Sequence, residues 1–305
     1  MRSLFYNIYK LFIIIINHPL NVNNKFASIL RLLSFNLKKI FKKKIIFPWV
    51  DESKLIFDNT EIDTLSQRQI KFNYYLGLAE YEDMTFLIHC LKKNDIFIDC
   101  GANLGLYTIL ASKVIGSNSI AFEPHPETVK RFISQLNINN ITDKVKIINK
   151  AIGDKISEIK FSNTKDALRR KIIQDNDYEK YNSIQVKMTT LDYELPNIKQ
   201  DFIIKMDLEG FEYNALKGAL SILENKNLKA IIIEIDKAKI NSINELLSKF
   251  NFFPIEYHPK KRKIEISKKN LENKLNLIFI KDFEKIESHC ISSKNFKIYP
   301  VNIRI

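Results

Sequence analysis

A short apolar run, Ile96-Phe97-Ile98, leads into Asp99-Cys100-Gly101-Ala102-Asn103-Leu104-Gly105 and then into apolar residues at helical spacing, Leu106, Ile109, Leu110 and Val114. A strand that breaks at a glycine-bearing loop and restarts as a helix is the opening unit of an open α/β sheet. Gly101 and Gly105 let the backbone turn tightly and come close to a ligand, while the amides at the helix start carry positive partial charge. Gly116 is positioned to cap the helix at its C-terminus. Such a loop implies a nucleotide-type ligand.

The alternation continues down the chain. A second strand at residues 119–122 precedes a helix whose inner face reads Val129, Phe132, Ile133 and Leu136, and a third strand covers residues 145–148. Further strands fall at residues 202–206, 230–235 and 275–280, with helical spacing at Ala215, Leu216, Ala219, Leu220 and Leu223 between the first two. The expected fold is α/β, a doubly wound and mostly parallel sheet with helices on both faces. Two stretches interrupt it. Residues 162–183 are densely charged and fall near the ligand-binding edge of such a sheet, where they can serve as a substrate lid or as a solvated loop. Lys260-Lys261-Arg262-Lys263 reads as a basic turn before the last strand. With no repeat and no low-complexity linker, one catalytic domain is expected over residues 61–305, its core at about 94–281, behind an N-terminal extension of residues 1–60.

The formal charge of +13 suggests nucleic acid until its distribution is read. Residues 1–50 hold nine basic residues and no acidic one, which leaves +4 for the other 255. In that leader Ile29, Leu32, Leu33, Leu37, Ile40 and Phe41 sit at helical spacing among Lys38, Lys39 and Lys42 to Lys44, the pattern of a basic amphipathic helix. Residues 1–45 can then lie on an anionic membrane, at about 1 kcal/mol per basic residue, or pack on the domain or on a second subunit. The apolar run at residues 11–16 is far short of the ~20 residues of a spanning helix. Asn17-His18-Pro19-Leu20-Asn21 does not resemble a signal-peptide cleavage site. Cys90, Cys100 and Cys290 form neither a disulfide framework nor a zinc pattern. A cytoplasmic protein is expected, peripheral at most at the inner membrane face.

The chemistry concentrates in three motifs. A dinucleotide site would read Gly-x-Gly-x-x-Gly, whereas here Asn103 stands at the second glycine and the third is missing. The Asp-x-Gly-x-Asn-x-Gly form suits S-adenosylmethionine, which has no phosphates and brings ammonium and sulfonium cations for Asp99 to face. In Phe122-Glu123-Pro124, at the end of the second strand, Glu123 can accept hydrogen bonds from both ribose hydroxyls, or can be a carboxylate favoured at a helix start. The third motif is Lys205-Met206-Asp207-Leu208-Glu209-Gly210-Phe211-Glu212 at the fourth strand. Alternation puts Lys205 and Asp207 on one face, with Asp207 at the carboxyl end of the sheet.

Together and in this order the motifs resemble the FkbM methyltransferase family, with its Asp-x-Gly-Ala-Asn-x-Gly loop, its Phe-Glu-Pro, and its Lys-x-Asp-x-Glu-Gly-x-Glu segment. The resemblance is firm over residues 94–236, weaker to 281, and does not reach residues 1–60 or 162–183. It implies a Rossmann-like, class I methyltransferase that moves a methyl group to an acceptor oxygen, commonly a hydroxyl of a sugar, glycan or other small metabolite. Carried over, Asp99, Gly101, Ala102, Asn103 and Gly105 would hold the methionine end of the cofactor, and Glu123 with Pro124 the ribose.

An alcohol acceptor needs alignment and a base for its departing proton. Asp207 and Glu209 are the candidates, with Lys205 setting the charge state of Asp207; holding the cofactor's amino end is an equal reading of Asp207. Asp207, Glu209, Glu234 and Asp236 are hard-cation ligands in principle, but no metal is expected. No nucleic acid is expected either: the Asn/Asp-Pro-Pro-aromatic turn of base N-methyltransferases is missing, and acidic residues at that position would repel phosphates. An RNA methyltransferase and a non-catalytic adenosine-binding docking module remain the alternatives.

Overall fold

The computed structural model describes residues 2–60, 65–163, 172, 183–267, 271 and 275–305. Its N-terminal part consists of α1 (Arg2–Asn17), α2 (Lys25–Phe41), the antiparallel hairpin β1 (Lys44–Pro48) and β2 (Lys54–Asp58), α3 (Leu65–Leu76) and α4 (Tyr81–Cys90). Asn24 caps α2 by accepting from the Ala27 amide, and the inner face of the helix buries Phe35 against the rings of Phe57, Tyr74 and Tyr75. Alternation along β1 turns Ile45 and Phe47 inward. Trp49, fully buried, donates its indole N–H to the Gly77 carbonyl at 2.6 Å.

The α/β core follows as β3 (Ile96–Cys100), α5 (Leu106–Ile109), β4 (Asn118–Phe122), α6 (Pro126–Asn139), β5 (Val145–Ile148), β6 (Ala151–Ile152), β7 (Ser157–Ser162), β8 (Ser183–Thr189), α7 (Leu191–Glu194), β9 (Phe202–Met206), α8 (Glu212–Lys217), α9 (Leu220–Glu224), β10 (Leu228–Glu234), α10 (Ile240–Ser248), β11 (Phe253–His258), β12 (Lys263–Ile266), β13 (Asn276–Ile280) and α11 (Phe283–Ile291). Among the described residues the main sheet has eight strands in the order β12-β11-β13-β10-β9-β3-β4-β5. The five from β10 to β5 run parallel, and β13, β11 and β12 close the other edge antiparallel. The expected doubly wound, mostly parallel sheet is what forms. Strand order reverses between β3 and β9, so their carboxyl ends open a crevice.

Period-2 alternation decides what covers each face. Phe97, Ile203, Ala230, Ile232, Ile278 and Ile280 join the apolar cluster that also takes in the leader, while Ile98, Ile204, Met206, Ile231, Ile233 and Phe279 join the cluster on the opposite face. Both faces are dry, as a parallel sheet requires.

Several local expectations change. The helix after the glycine loop continues from α5 as a π-helical turn, Leu110–Ile115, before the left-handed cap at Gly116. On α6, Ile133 points outward, 40% exposed, and the inner face includes Gln135 and Asn139 instead. Those two amides pair with the backbone of Ile56 and Lys54, so polar side chains are buried because they satisfy the open edge of β2. The expected single helix through Leu220 breaks at Gly218, where a Cβ would sit 2.1 Å from the Gly153 carbonyl oxygen, and Leu220 is left exposed. The basic turn lies between β11 and β12, not before β13. Apart from residues 162, 163, 172 and 183, the charged insertion lies outside the described residues; its roots β7 and β8 pair antiparallel, with β6 parallel to β8. Among the described residues no helix is long and apolar enough to cross a membrane.

Candidate functional site

The same alternation that sorts the core sends Asp99, Lys205, Asp207 and Glu234 to one face of the sheet at its carboxyl edge. Asp99 stands opposite Lys205 across β3 and β9, and Lys205 opposite Ile232 of β10; Asp207 and Glu234 each come two residues later. The Lys205 ammonium, only 3% exposed, lies 2.9 Å from Asp207 Oδ2 and 4.7 Å from the centre of the Tyr107 ring. Tyr107 donates its hydroxyl to Glu80 at 2.5 Å. Asn276 of β13 donates to Asp83 at 2.9 Å and to Glu80 at 3.2 Å, and Thr108 donates to Asp99 at 2.6 Å.

One cation thus serves a ring of carboxylates, and the protons distribute accordingly. Burial would raise Asp207, but the Lys205 ammonium and a hydrogen bond from Glu234 outweigh it and hold the carboxyl below its usual range. Burial and the Asp207 charge push Glu234 up to about 10, so this pair keeps one proton between its members at neutral pH. Burial opposes the charge on Lys205, yet Asp207, Glu80 and Asp99 hold it above its ordinary value. Asp83 is pushed up to about 7 by burial, with Glu80 adding to the effect, and Asp99 to about 6, again mainly by burial.

An acid whose pKa is higher in the folded chain binds more protons there than in the unfolded chain. Asp83 and Asp99 therefore contribute stability at low pH that is lost as pH rises from about 4 towards their folded values. Thermal unfolding of the ligand-free chain across that window should show Asp83→Asn flattening the decline; an unchanged slope would remove Asp83 from this account.

Two clefts flank the glycine loop. The larger, about 650 Å³, is bounded by Gly101, Asn103, Glu123, Pro124, Asp207 and Glu209, with Phe161, Ile172 and Phe211 as an apolar wall. The smaller, about 320 Å³, lies among Gln69, Glu80, Asp99, Ala102, Tyr107 and Lys205. Gly101, Asn103 and Asp207 line both. Gly105 lines neither: its φ is +75° and a Cβ there would sit 1.8 Å from the Phe132 ring. At Gly101, φ is +83° and a Cβ would be 1.9 Å from the Asp207 carbonyl oxygen, so a side chain is excluded where the loop presses on the end of β9.

Glu123, 7% exposed, accepts from the Asn103 amide at 3.0 Å and the His125 amide at 2.9 Å, bracing the loop from the larger cleft. After β9 the chain turns through Glu209 and Gly210, both at positive φ, and Glu212 Oε1 accepts from the Leu208 and Gly210 amides at 2.7 and 3.2 Å. Glu212 is thereby a brace for the turn. Gln69, Glu80, Asp83, Tyr107 and Asn276 escaped the motif reading because most reach the site from α3, α4 and β13, with no local pattern to mark them. Asn103 Nδ2 reaches Gln69 Oε1 at 3.4 Å, tying α3 to the loop.

The donor set suits a ligand with cationic groups and no phosphates. Its carboxylates face both clefts, and the lining cations are engaged, Lys150 with Glu194 at 2.6 Å and Lys205 with Asp207. Asp99, Ala102 and Asn103 could hold an amino-acid end, and Glu123 with Pro124 a ribose. Among the described residues no group of three or more His, Cys, Asp or Glu side chains could hold a metal ion.

No curated protein matches the chain. Among solved structures it is similar to an rRNA methylase from Streptococcus thermophilus, with 14% identity, 65% of this chain and 91% of that one covered, and a TM-score of 0.37. It is similar to a precorrin-6y C5,15-methyltransferase from Geobacter metallireducens, with 12% identity, 67% and 88% covered, and a TM-score of 0.38. It is also similar to M. capricolum TrmK in complex with S-adenosyl-homocysteine, with 9% identity, 65% and 66% covered, and a TM-score of 0.35. Likeness this distant decides nothing about substrate. The methyltransferase FkbM domain, by contrast, matches residues 99–263, more than half of the chain and the whole run from the glycine loop through the Asp207 turn. The chain belongs to the FkbM methyltransferase family and is an S-adenosylmethionine-dependent methyltransferase.

Proposed function

We propose that the chain methylates a hydroxyl oxygen of a small metabolite or glycan, with Asp207 taking the acceptor's proton. The observation that carries this reading is the placement of the Asp207 carboxylate on the wall shared by the two clefts, 2.9 Å from the Lys205 ammonium, whose charge favours its ionised form. When bound, S-adenosylmethionine supplies an electrophilic methyl group. What the chain itself must supply is alignment, exclusion of water and a proton acceptor. Phe161, Ile172 and Phe211 give the larger cleft its dry wall, Glu123 and Pro124 suit the ribose, and Asp99 and Asn103 suit the methionine end. Glu209, on the rim beside Asp207, is assigned to orient the acceptor. Cys90, Cys100 and Cys290 are buried and unbridged, in keeping with a reducing, cytoplasmic setting.

The test is transfer of isotope-labelled methyl from the cofactor to a panel of sugars, glycans and polyketide alcohols, with bulk RNA alongside. A methyl ether formed on a hydroxyl acceptor supports the assignment. Label that appears only in RNA, or only on nitrogen, overturns it.

A further inference from the structure

The leader helix α2 is apolar on two opposite faces, and only one of them is covered. Its inner face is closed by Phe35 among aromatic rings, while Phe26, Leu30, Leu33, Leu37, Ile40 and Phe41 are all between 48% and 82% exposed. At 3.6 residues per turn these six fall in one stripe about 100° wide, running the length of the helix directly opposite Phe35. A helix apolar on both sides belongs between two partners. Contiguous exposed apolar surface of this kind marks an interaction site.

The charge around the stripe selects the partner. Lys38 and Lys39 lie on the inner side of the helix, over the rings of Tyr74 and Phe57, and Lys44 pairs with Asp58 at 3.3 Å. Lys25, Lys42 and Lys43, at its two ends, are exposed and have no ion-pair partner among the described residues. Residues 1–50 contain no acidic side chain. Two copies brought together on this face would set the lysines at its ends against one another, whereas an apolar stripe with unpaired lysines at both ends matches an anionic bilayer, with acyl chains for the stripe and headgroups for the ammoniums. We propose that the outer face of α2 docks on an anionic lipid bilayer, tethering the enzyme peripherally.

The experiment is co-sedimentation of the full chain with sucrose-loaded vesicles of phosphatidylcholine, with and without phosphatidylglycerol. It is run for the wild type, Leu33→Glu/Leu37→Glu and Lys42→Glu/Lys43→Glu, with S-adenosylhomocysteine affinity and oligomeric state measured in parallel. The substituted side chains are exposed and distant in sequence from the site, so each variant should keep its affinity for S-adenosylhomocysteine. Binding is expected on the anionic vesicles only and should weaken as salt is raised. The leucine pair should lose at least about fiftyfold in partitioning and the lysine pair about twenty-fivefold or more. Failure of the wild type to bind anionic vesicles, or equal binding by the leucine variant, overturns the proposal. So does a dimer that the leucine variant dissociates with no vesicle binding, which would assign the face to a second copy.

Discussion

The Asp207→Asn enzyme is expected to turn over about 10²–10⁴ times more slowly while its affinity for S-adenosylhomocysteine stays within about threefold of the wild type. Asparagine keeps the shape of the side chain but cannot take a proton. Lys205 and Glu234 spend their interactions on keeping Asp207 charged, and that charge is the property the substitution removes. Single-turnover transfer and calorimetric titration on the same preparation read the two quantities separately. A fall in cofactor affinity as large as the fall in turnover would reassign Asp207 to holding the cofactor's amino end and remove it as the base.

Lys205→Met should be the most destabilising single change in the site, costing about 3–5 kcal/mol near neutral pH, because it leaves carboxylates buried without their cation. Methionine fills much the same volume, so the loss is electrostatic and not a cavity. The sign of its pH dependence follows. Without Lys205 the carboxyl of Asp207 has its folded pKa raised, and such a group costs stability above its unfolded pKa and costs nothing once protonated in both states. The gap between variant and wild type, measured by denaturant unfolding, should therefore narrow as pH falls from 7 towards about 4. A gap that is independent of pH would mean that the ammonium does not balance the ring of carboxylates.

Sequence reading reached the sheet because β3, β9, β10 and β13 are apolar runs buried on both sides, which few other structures tolerate, and β4 and β5 carry shorter apolar runs. It missed β11 and β12, where Pro254 near the start of the first and the exposed Lys263, Glu265 and Ile266 of the second, an edge strand, blur the pattern. It misread α6 because an amide such as Gln135 counts as polar in any periodicity, yet is buried here on a strand edge that only the tertiary structure supplies. The three motifs were legible because each is continuous in sequence and ends a strand at the same edge. The rest of the acidic ring beyond Lys205 and Asp207 was not: Glu234 was visible only as a cation ligand in principle, and Glu80, Asp83 and Asn276 are linked by hydrogen bonds spanning nearly two hundred residues of chain. Sequence spacing carries no trace of such a contact.

The position of β13 has a consequence for how the enzyme can be divided. The family domain ends at residue 263, but the strand that hydrogen-bonds along β10 is Asn276–Ile280, and it separates β10 from β11. A chain shortened to the family boundary would leave Ile231, Ile232 and Ile233 on an uncovered strand edge ready to recruit β-strands from neighbouring molecules. It would also strip Asn276 from Glu80 and Asp83, so that self-association and a misordered acidic ring would arrive together.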